Sequence, residues 1–385
     1  MRTRKIKSAT IHEQLVEILR KEIRTKYKVG DQIESLSQLA KRFGISPLTA
    51  RIAVVTLTEE GLIERRPGSG CYVIDRRQGK PVGVYVAFDV FQPQVSFFFR
   101  QLTGQLRAEL EQQGLRVQFY VETTMPGAET NEHCLEFVED IKAGRLAGAA
   151  VIGLWPMPWW TGPVEKSQIP VVGIKFNDEP LPSYQHAVVL NYPAMVADAI
   201  RHILKSGRRR IAILGWQSGR NGLQWFDDHA PVARQLLDAE GVSLRPEWIR
   251  GDLHPNMIGA GWEEFREIWS VHVEKPDALV VCDDILFRDV IPAIMELGIR
   301  VPEELLVVTH ANKGSNIVCP FPVVRLEYDP DRVAKAMASM LTKLIQREEL
   351  PEANIKISHE LLQESKRTQS RPRTGAKVTS PNAAC

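Results

Sequence analysis

Between Pro81 and Gln346, continuous apolar runs alternate with stretches whose apolar residues recur at helical spacing. The runs are "PVGVYVAF", "LRVQFYVE", "GAAVIGLW", "IPVVGIKF" and "HAVVLNY", followed by "RRRIAILGW", "DALVVCDD", "ELLVVTHAN" and "PVVRLEYDP". A strand that is apolar throughout is buried on both faces, and helices between such strands are the crossovers a parallel sheet requires. The spacing predicts helices near 96–113, 131–143, 193–205, 232–240, 257–269, up to 297 and near 331–346. The series runs once to "HAVVLNY" and restarts at "RRRIAILGW", so the expected body is α/β, with two doubly wound parallel-sheet lobes.

In such sheets a ligand binds outside the carboxyl ends of the strands. The residues that fall there are Asp89 and Phe91, Trp155, Asn177 with Asp178, Trp216 with Gln217, Asp283 with Asp284, and His310 with Asn312. Aromatic rings cover the C–H faces of a polyhydroxylated molecule, while carboxylates and amides fix its hydroxyls. Each residue also has a plainer use. Trp155 and Trp216 suit core or hinge packing, and Asp283 or Asp284 suits the N-cap of the helix that follows.

Ahead of the body, residues 1–75 carry another pattern. Thr10 and Glu13 make a capping box, and Ile11, Leu15, Ile18, Leu19 and Ile23 continue it as a helix to about Thr25. Ser35 is placed to cap a second short helix that stops at Gly44. Then "RFGISPLTARIAV" sets a proline inside a helical run. A helix interior would lose about 3 kcal/mol to it, whereas the first helical turn loses nothing, because the missing N–H has no partner there. Ser46 therefore caps a third helix whose first residue is Pro47 and which ends near Gly61. Two short helices around a glycine turn form a helix-turn-helix, and "LIERRPGSGCYVI" supplies a two-stranded wing. The plainer alternative is a three-helix domain with a hairpin and no nucleic-acid role.

Charge separates the two regions. Residues 1–77 hold 16 Lys and Arg against 9 Asp and Glu; the last 21 residues hold 5 basic and no acidic ones, leaving 28 against 38 between them. A basic head on an acidic body suits a polyanionic partner. The five cysteines, Cys71, Cys134, Cys282, Cys319 and Cys385, form no CxxC pair, and no apolar stretch reads as a signal peptide or membrane span. A cytoplasmic protein with no membrane partner, metal or cofactor is expected. The sequence contains no G-x-S-x-G elbow, no GxxxxGK[ST] loop, no HExxH and no complete G-x-G-x-x-G after a strand, and "DDH" at 227–229 reads as a solvated loop, so an enzyme is not expected. The final segment, rich in Ser, Thr, Pro and basic residues, reads as disordered.

From Thr10 to Val73 the chain resembles the GntR-type winged helix-turn-helix, through its Gly30-Asp31 turn, Leu39-Ala40 followed by Phe43-Gly44-Ile45-Ser46, "EGLIERR" and the Gly68-x-Gly70 wing tip. The resemblance implies double-stranded operator DNA as partner, contacted by Ser35 and Ser37, by Ser46, Pro47, Leu48, Thr49 and Arg51, and by Arg66, Gly68, Ser69 and Gly70 in the wing. Two arginines usual in the family are missing: Glu34-Ser35-Leu36-Ser37 and Pro47 stand in their places. The body resembles the LacI/GalR-type, periplasmic-binding-protein-like effector domain in "IPVVGIKFND", "VVLNYPAMVADAIRHILKSGRRRIAILG", "VVCDDILFRDVIPAIMELGIRVPEELLVVTHAN" and "VVRLEYDPDRVAKAMASMLTKLI". Phe97 and Phe98 fall where that family has a pocket aromatic. Asp283-Asp284 stands for its Asn-Asp pair, Asn191 for the aspartate before its bridging helix, and Thr309-His310-Ala311-Asn312 for its Gly-Phe-Asp-Asp. The combination resembles the arabinose-repressor type of regulator. It implies a winged helix-turn-helix over 1–75, a linker at 76–80, an effector-binding and dimerisation domain over 81–365 and a tail at 366–385. It also implies a homodimeric repressor whose effector is a sugar or related polyol by family default, with a purine-type effector as the alternative.

Overall fold

The computed structural model describes residues 10–59, 61–66, 68–74, 80–92, 95–123, 134–153, 158–167, 169–177, 185–215, 226–227, 230–250, 259–271 and 273–363. The expected tail at 366–385, and the linker apart from Lys80, lie outside them.

Helix α1 (Ile11–Thr25) starts where Glu13 Oε2 accepts the Thr10 N–H at 2.6 Å. It buries Leu15, Val16, Leu19 and Ile23. In α2 (Leu36–Phe43) a reciprocal pair of bonds joins Ser35 and Gln38, and Gly44 ends the helix at φ +64°, where a side chain would be strained. Helix α3 (Pro47–Glu59) begins as the proline requires, with Ser46 Oγ accepting the Thr49 N–H at 3.0 Å. It turns Ala50, Ala53, Val54 and Leu57 into the core shared with α1. The wing is an antiparallel pair, β1 (Ile63–Arg66) and β2 (Gly70–Val73).

The first lobe's elements are β3 (Val82–Val86), α4 (Phe97–Gln112), β4 (Val117–Val121), α5 (Leu135–Lys142), β5 (Gly148–Ile152), α6 (Pro158–Lys166), β6 (Val171–Lys175) and β7 (His186–Leu190). The second lobe's are α7 (Tyr192–Lys205), β8 (Ile211–Leu214), α8 (Pro231–Ala239), β9 (Ile249–Arg250), α9 (Ala260–Val271), β10 (Ala278–Val281), α10 (Asp284–Glu296), β11 (Leu306–Asn312) and β12 (Val324–Tyr328). The chain then returns to the first lobe with α11 (Pro330–Ile345) and β13 (Asn354–Ile357), and ends in the second with β14 (Glu360–Gln363). Strand orders are β13-β7-β6-β5-β3-β4 and β14-β12-β11-β10-β8-β9. Every pairing in the first sheet is parallel, and the second departs from the expected all-parallel sheet only at its edge, where β14 runs antiparallel to β12.

Three crossings therefore join the lobes, at Leu190–Tyr192, Tyr328–Pro330 and Ile357–Glu360. Helix α11 is the first lobe's keystone. It packs on α4 and beneath β5, β6 and β7, and it buries Val333, Met337, Leu341 and Ile345. The approach is close enough that a Cβ at Gly148 on β5 would sit 3.0 Å from Leu341 Cδ1 and 3.1 Å from the Pro170 carbonyl.

Candidate functional site

The head presents α3 and the wing. The hydroxyl of Ser46 that caps α3 also lies 2.8 Å from Thr49 Oγ1, so both side chains are engaged with each other. Along the rest of the helix Leu48, Arg51, Ile52 and Val55 are exposed. Ser35 is spent on its helix cap, while Ser37, one turn position further, is exposed. In the wing Arg66 lies over the Tyr72 ring at 4.5 Å and pairs with Glu64, and Ser69 Oγ meets Tyr72 Oη at 2.6 Å.

Gly68 and Gly70 adopt φ of +73° and +127°. Gly70 has a second reason to lack a side chain: a Cβ there would fall 2.4 Å from Gln32 Nε2, which donates to the Ser69 carbonyl at 2.7 Å and pins the wing tip. Arg42, a basic residue beside the turn, is engaged within the head. It bridges Glu22 of α1 and Glu34 ahead of α2, and this guanidinium, helped by Lys26 at 2.9 Å, holds the Glu22 carboxyl below its ordinary pKa.

In the body, residues from both lobes converge at the carboxyl ends of the strands. Ser96, the N-cap of α4 in the first lobe, donates through Oγ to Asp284 Oδ1 at 3.0 Å. Asn312, the last residue of β11 in the second, donates through Nδ2 to Asp284 Oδ2 at 2.9 Å and lies 3.4 Å from Ser96 Oγ. All three side chains are buried. Asn312 Oδ1 and His310 Nδ1 are buried polar atoms with no hydrogen-bond partner. Phe97 also spans the lobes: its ring lies within 3.5 Å of where a side chain at Gly314 would begin.

Asp283 caps α10, accepting the N–H groups of Ile285 and Leu286 at 2.8 and 3.2 Å. Burial, with the Asp284 charge adjoining, pushes its pKa up to about 7. Burial also holds the His310 imidazole down to about 4, against the pull of Asp284. Beside it lie the crossings. Tyr192 Oη is 3.3 Å from His310 Nε2, the Tyr192 and Tyr328 rings stack at 5.6 Å, Tyr328 meets His359 edge-on at 5.8 Å, and His359 pairs with Asp198 at 3.1 Å.

The expected effector residues thus divide. Asp284, His310, Asn312 and Phe97 come together across the lobes, with Asp283 adjacent. Phe98 does not join them: it is buried in the first lobe's core with Leu102 and Leu106. The neighbouring Phe99 is partly buried against the same core, its ring meeting Phe88 at 4.8 Å and Phe176 at 6.4 Å. Asp89 closes its own turn by accepting the Phe91 N–H at 3.0 Å and the Gln92 amide at 2.8 Å, and Phe91 is exposed. Asn177 lies in the bend just after β6, while Trp155, Asp178 and Trp216 lie outside the described residues. Sequence reasoning missed Ser96, Tyr192, Tyr328 and His359. Ser96 is legible only as a helix cap, and the others gather at crossings that pairing, not periodicity, defines.

Residues 11–73 match the model of the bacterial regulatory proteins of the gntR family, and residues 200–363 match that of the periplasmic binding protein-like domain. The chain is 22% identical over 327 residues to an arabinose metabolism transcriptional repressor of Halalkalibacterium halodurans, covering 82% of this chain and 84% of that protein. It is 31% identical over 113 residues to the transcriptional repressor PurR of Erwinia tasmaniensis, a match to 29% of this chain and 31% of that one. Among solved structures, the transcriptional regulator CelR–cellobiose complex superposes with a TM-score of 0.59 at 15% identity, over 86% of this chain and all of that one. A LacI family regulator from Lactobacillus casei with bound glucose does so at 0.57 and 17%, over 74% and 98%. The described residues contain no helix long and apolar enough to cross a membrane. The chain is a transcriptional repressor, not an enzyme, that joins a gntR-family DNA-binding head to a periplasmic binding protein-like effector domain.

Proposed function

We propose that a small polyhydroxylated molecule of the sugar class binds between the two lobes, resets their closure, and so changes the affinity of paired heads for an operator in the cytoplasm. The observation that carries this reading is the buried Ser96–Asp284–Asn312 network, where one carboxylate is shared by both lobes at the carboxyl ends of their strands. A ligand hydroxyl is chemically equivalent to the Ser96 hydroxyl that Asp284 accepts. It can take that place, while the unpartnered Asn312 Oδ1 and His310 Nδ1 offer further acceptor or donor sites. The sugar class is also what the cellobiose and glucose complexes and the arabinose repressor relative suggest. Asp89, Phe91, Trp155, Asn177, Asp178, Trp216 and Asp283 are proposed to complete the site, with Phe98 supporting it from the core.

A homodimer would set two heads over adjacent half-sites, with Ser35 and Ser37 at phosphates, Ser46 to Arg51 in the major groove and Arg66, Gly68, Ser69 and Gly70 at the wing contact. Coupling of about 1–3 kcal/mol between the sites suffices for regulation.

Thermal unfolding of the purified chain against monosaccharides, disaccharides, phosphosugars and purines tests the effector. One sugar class should raise the transition and alter operator affinity; stabilisation by purines alone, or by nothing in the set, overturns the sugar assignment. DNA binding should weaken steeply with salt, as phosphate neutralisation requires.

A further inference from the structure

The solvent face of α3 is poor in hydrogen-bonding chemistry for a helix that reads DNA. Leu48, Ile52 and Val55 expose 66%, 42% and 46% of their surface, and with Arg51 they follow the i, i+3, i+4, i+7 spacing of a single helix face. The hydroxyls along this helix are used elsewhere. Thr49 is engaged with Ser46, and Thr56 and Thr58 donate to the carbonyls of Ile52 and Val54 at 3.1 and 2.8 Å. Among the described residues, no carboxylate pairs with Arg51.

Three large aliphatic side chains exposed together mark a contact surface. Its place on the second helix of the helix-turn-helix, in a head with 16 basic against 9 acidic residues, points to the major groove as its occupant. There the C5-methyl of thymine is the apolar group a base pair offers, and guanine O6 and N7 are what an arginine reads in bidentate fashion.

We infer that each operator half-site is a guanine read by Arg51, flanked by A·T pairs whose thymine methyl groups pack against Leu48 and Ile52, with Val55 at the margin. Leu48 to Val55 spans about 10 Å along the helix axis, which matches about three base pairs. The inference rests on the DNA-binding reading of the head and deepens it to a base preference. The specificity is one of methyl groups read by aliphatic side chains.

The test needs no variant at first. The full-length protein is used to enrich a random duplex pool, and each thymine of the selected half-site is then replaced by deoxyuridine, which removes the methyl group and leaves the hydrogen-bonding edge unchanged. The expected result is a guanine with adjacent thymines, and about a fourfold loss of affinity for each contacted methyl removed. Leu48→Ala should abolish the deoxyuridine effect at one position and Ile52→Ala at another, with the salt dependence unchanged. Since both side chains lie on the solvent face of α3 and neither belongs to the head's buried core, circular dichroism should show these variants folded.

Equal binding of thymine and deoxyuridine duplexes overturns the inference, as does a selected site with no thymine beside the guanine. So does a change in oligomeric state in Leu48→Ala with base preference intact, which would make this face a contact between heads. A chain that binds no duplex at all would instead remove the DNA reading itself.

Discussion

Serine caps a helix in the head at Ser46 and in the body at Ser96, and the two caps have different reach. Ser46 accepts the Thr49 N–H and touches the Thr49 hydroxyl, so all of its bonds lie within one helical turn. Ser96 accepts the Phe98 N–H at 3.3 Å and also donates to Asp284, 188 residues away in the other lobe. The head builds its surface from local signals and leaves apolar side chains exposed on it. The body builds its site from distant residues and buries the polar groups it brings together. A surface that must meet a stiff duplex can be complete within one small domain, whereas a site whose closure is to be altered must be shared by the parts that move.

The largest effect that would sharpen this contrast is in the head's core. Leu57 is fully buried, and Leu57→Ala should cost about 2–5 kcal/mol. All eight tryptophans lie beyond residue 150, so tryptophan fluorescence reports the body alone, while far-ultraviolet circular dichroism reports both regions. The substitution should advance an early circular-dichroism component and leave the fluorescence transition in place. If both shift together, the local head is not an independent unit and the contrast breaks.

Next in size is Asp284→Ala, which strands Ser96 and Asn312 and should cost about 1.5–3 kcal/mol, the range for bonds to a charged group. Ser96→Ala should be costly in the native background and fall, in Asp284→Ala, to the roughly 1 kcal/mol of a lost cap, because Ser96 also caps α4. Ser46→Ala should cost about 1 kcal/mol in either background, the loss of a cap alone. Additive costs for Ser96 and Asp284 would show that the bond between the lobes contributes nothing.

How much of each region is legible in sequence follows the same division. Helix α1 ends at Thr25, α2 stops at Gly44 and α3 starts at Pro47, as their caps and glycine predict, because those signals act within four residues. The body's strands are legible as apolar runs. Helix α6 is not, since Gly162 and Pro163 stand inside it and only tertiary packing holds it. Strands β13 and β14, "NIKI" and "ELLQ", are four-residue edges too short and too polar to show a period. Missing them hides the third crossing, and with it the cluster of Tyr192, Tyr328 and His359. Asp283 as a cap was readable from its place before a helix; Asp284 as the shared carboxylate was not, because nothing near it in sequence names Ser96 as its partner.

Titration gives an effect confined to the body. With its pKa pushed up to about 7, folded Asp283 binds a proton more tightly than the unfolded chain does, so its contribution makes stability fall as pH rises from about 4 to 7. His310, held down to about 4, and His359, lowered by its own burial, act oppositely: the unfolded chain takes up their protons first, so stability rises with pH toward about 6.5. Asp283→Asn keeps an oxygen to cap α10 and leaves the histidines unopposed. Its melting temperature by tryptophan fluorescence should climb more steeply between pH 4.5 and 6.5 than that of the native chain. A parallel pair of curves would mean that the carboxyl is not perturbed.

The smallest expected effect is at Thr49, and it probes the head's side of the contrast. Thr49 stands beside Leu48 and Arg51 near the start of the reading helix, where a free hydroxyl would serve a base edge. Its hydroxyl is instead 2.8 Å from the Ser46 hydroxyl, a local bond that competes with any outward one. Thr49→Val keeps the branched shape and removes that oxygen; Ser46 keeps the cap to the Thr49 N–H. Operator affinity should therefore change by less than about threefold, within the ±0.5 kcal/mol usual for a substitution that breaks no essential contact. The selected half-site should be unchanged. A tenfold loss confined to one base position would show that Thr49 leaves Ser46 when DNA arrives. The head would then trade an internal bond for a ligand, as is proposed for Ser96 in the body.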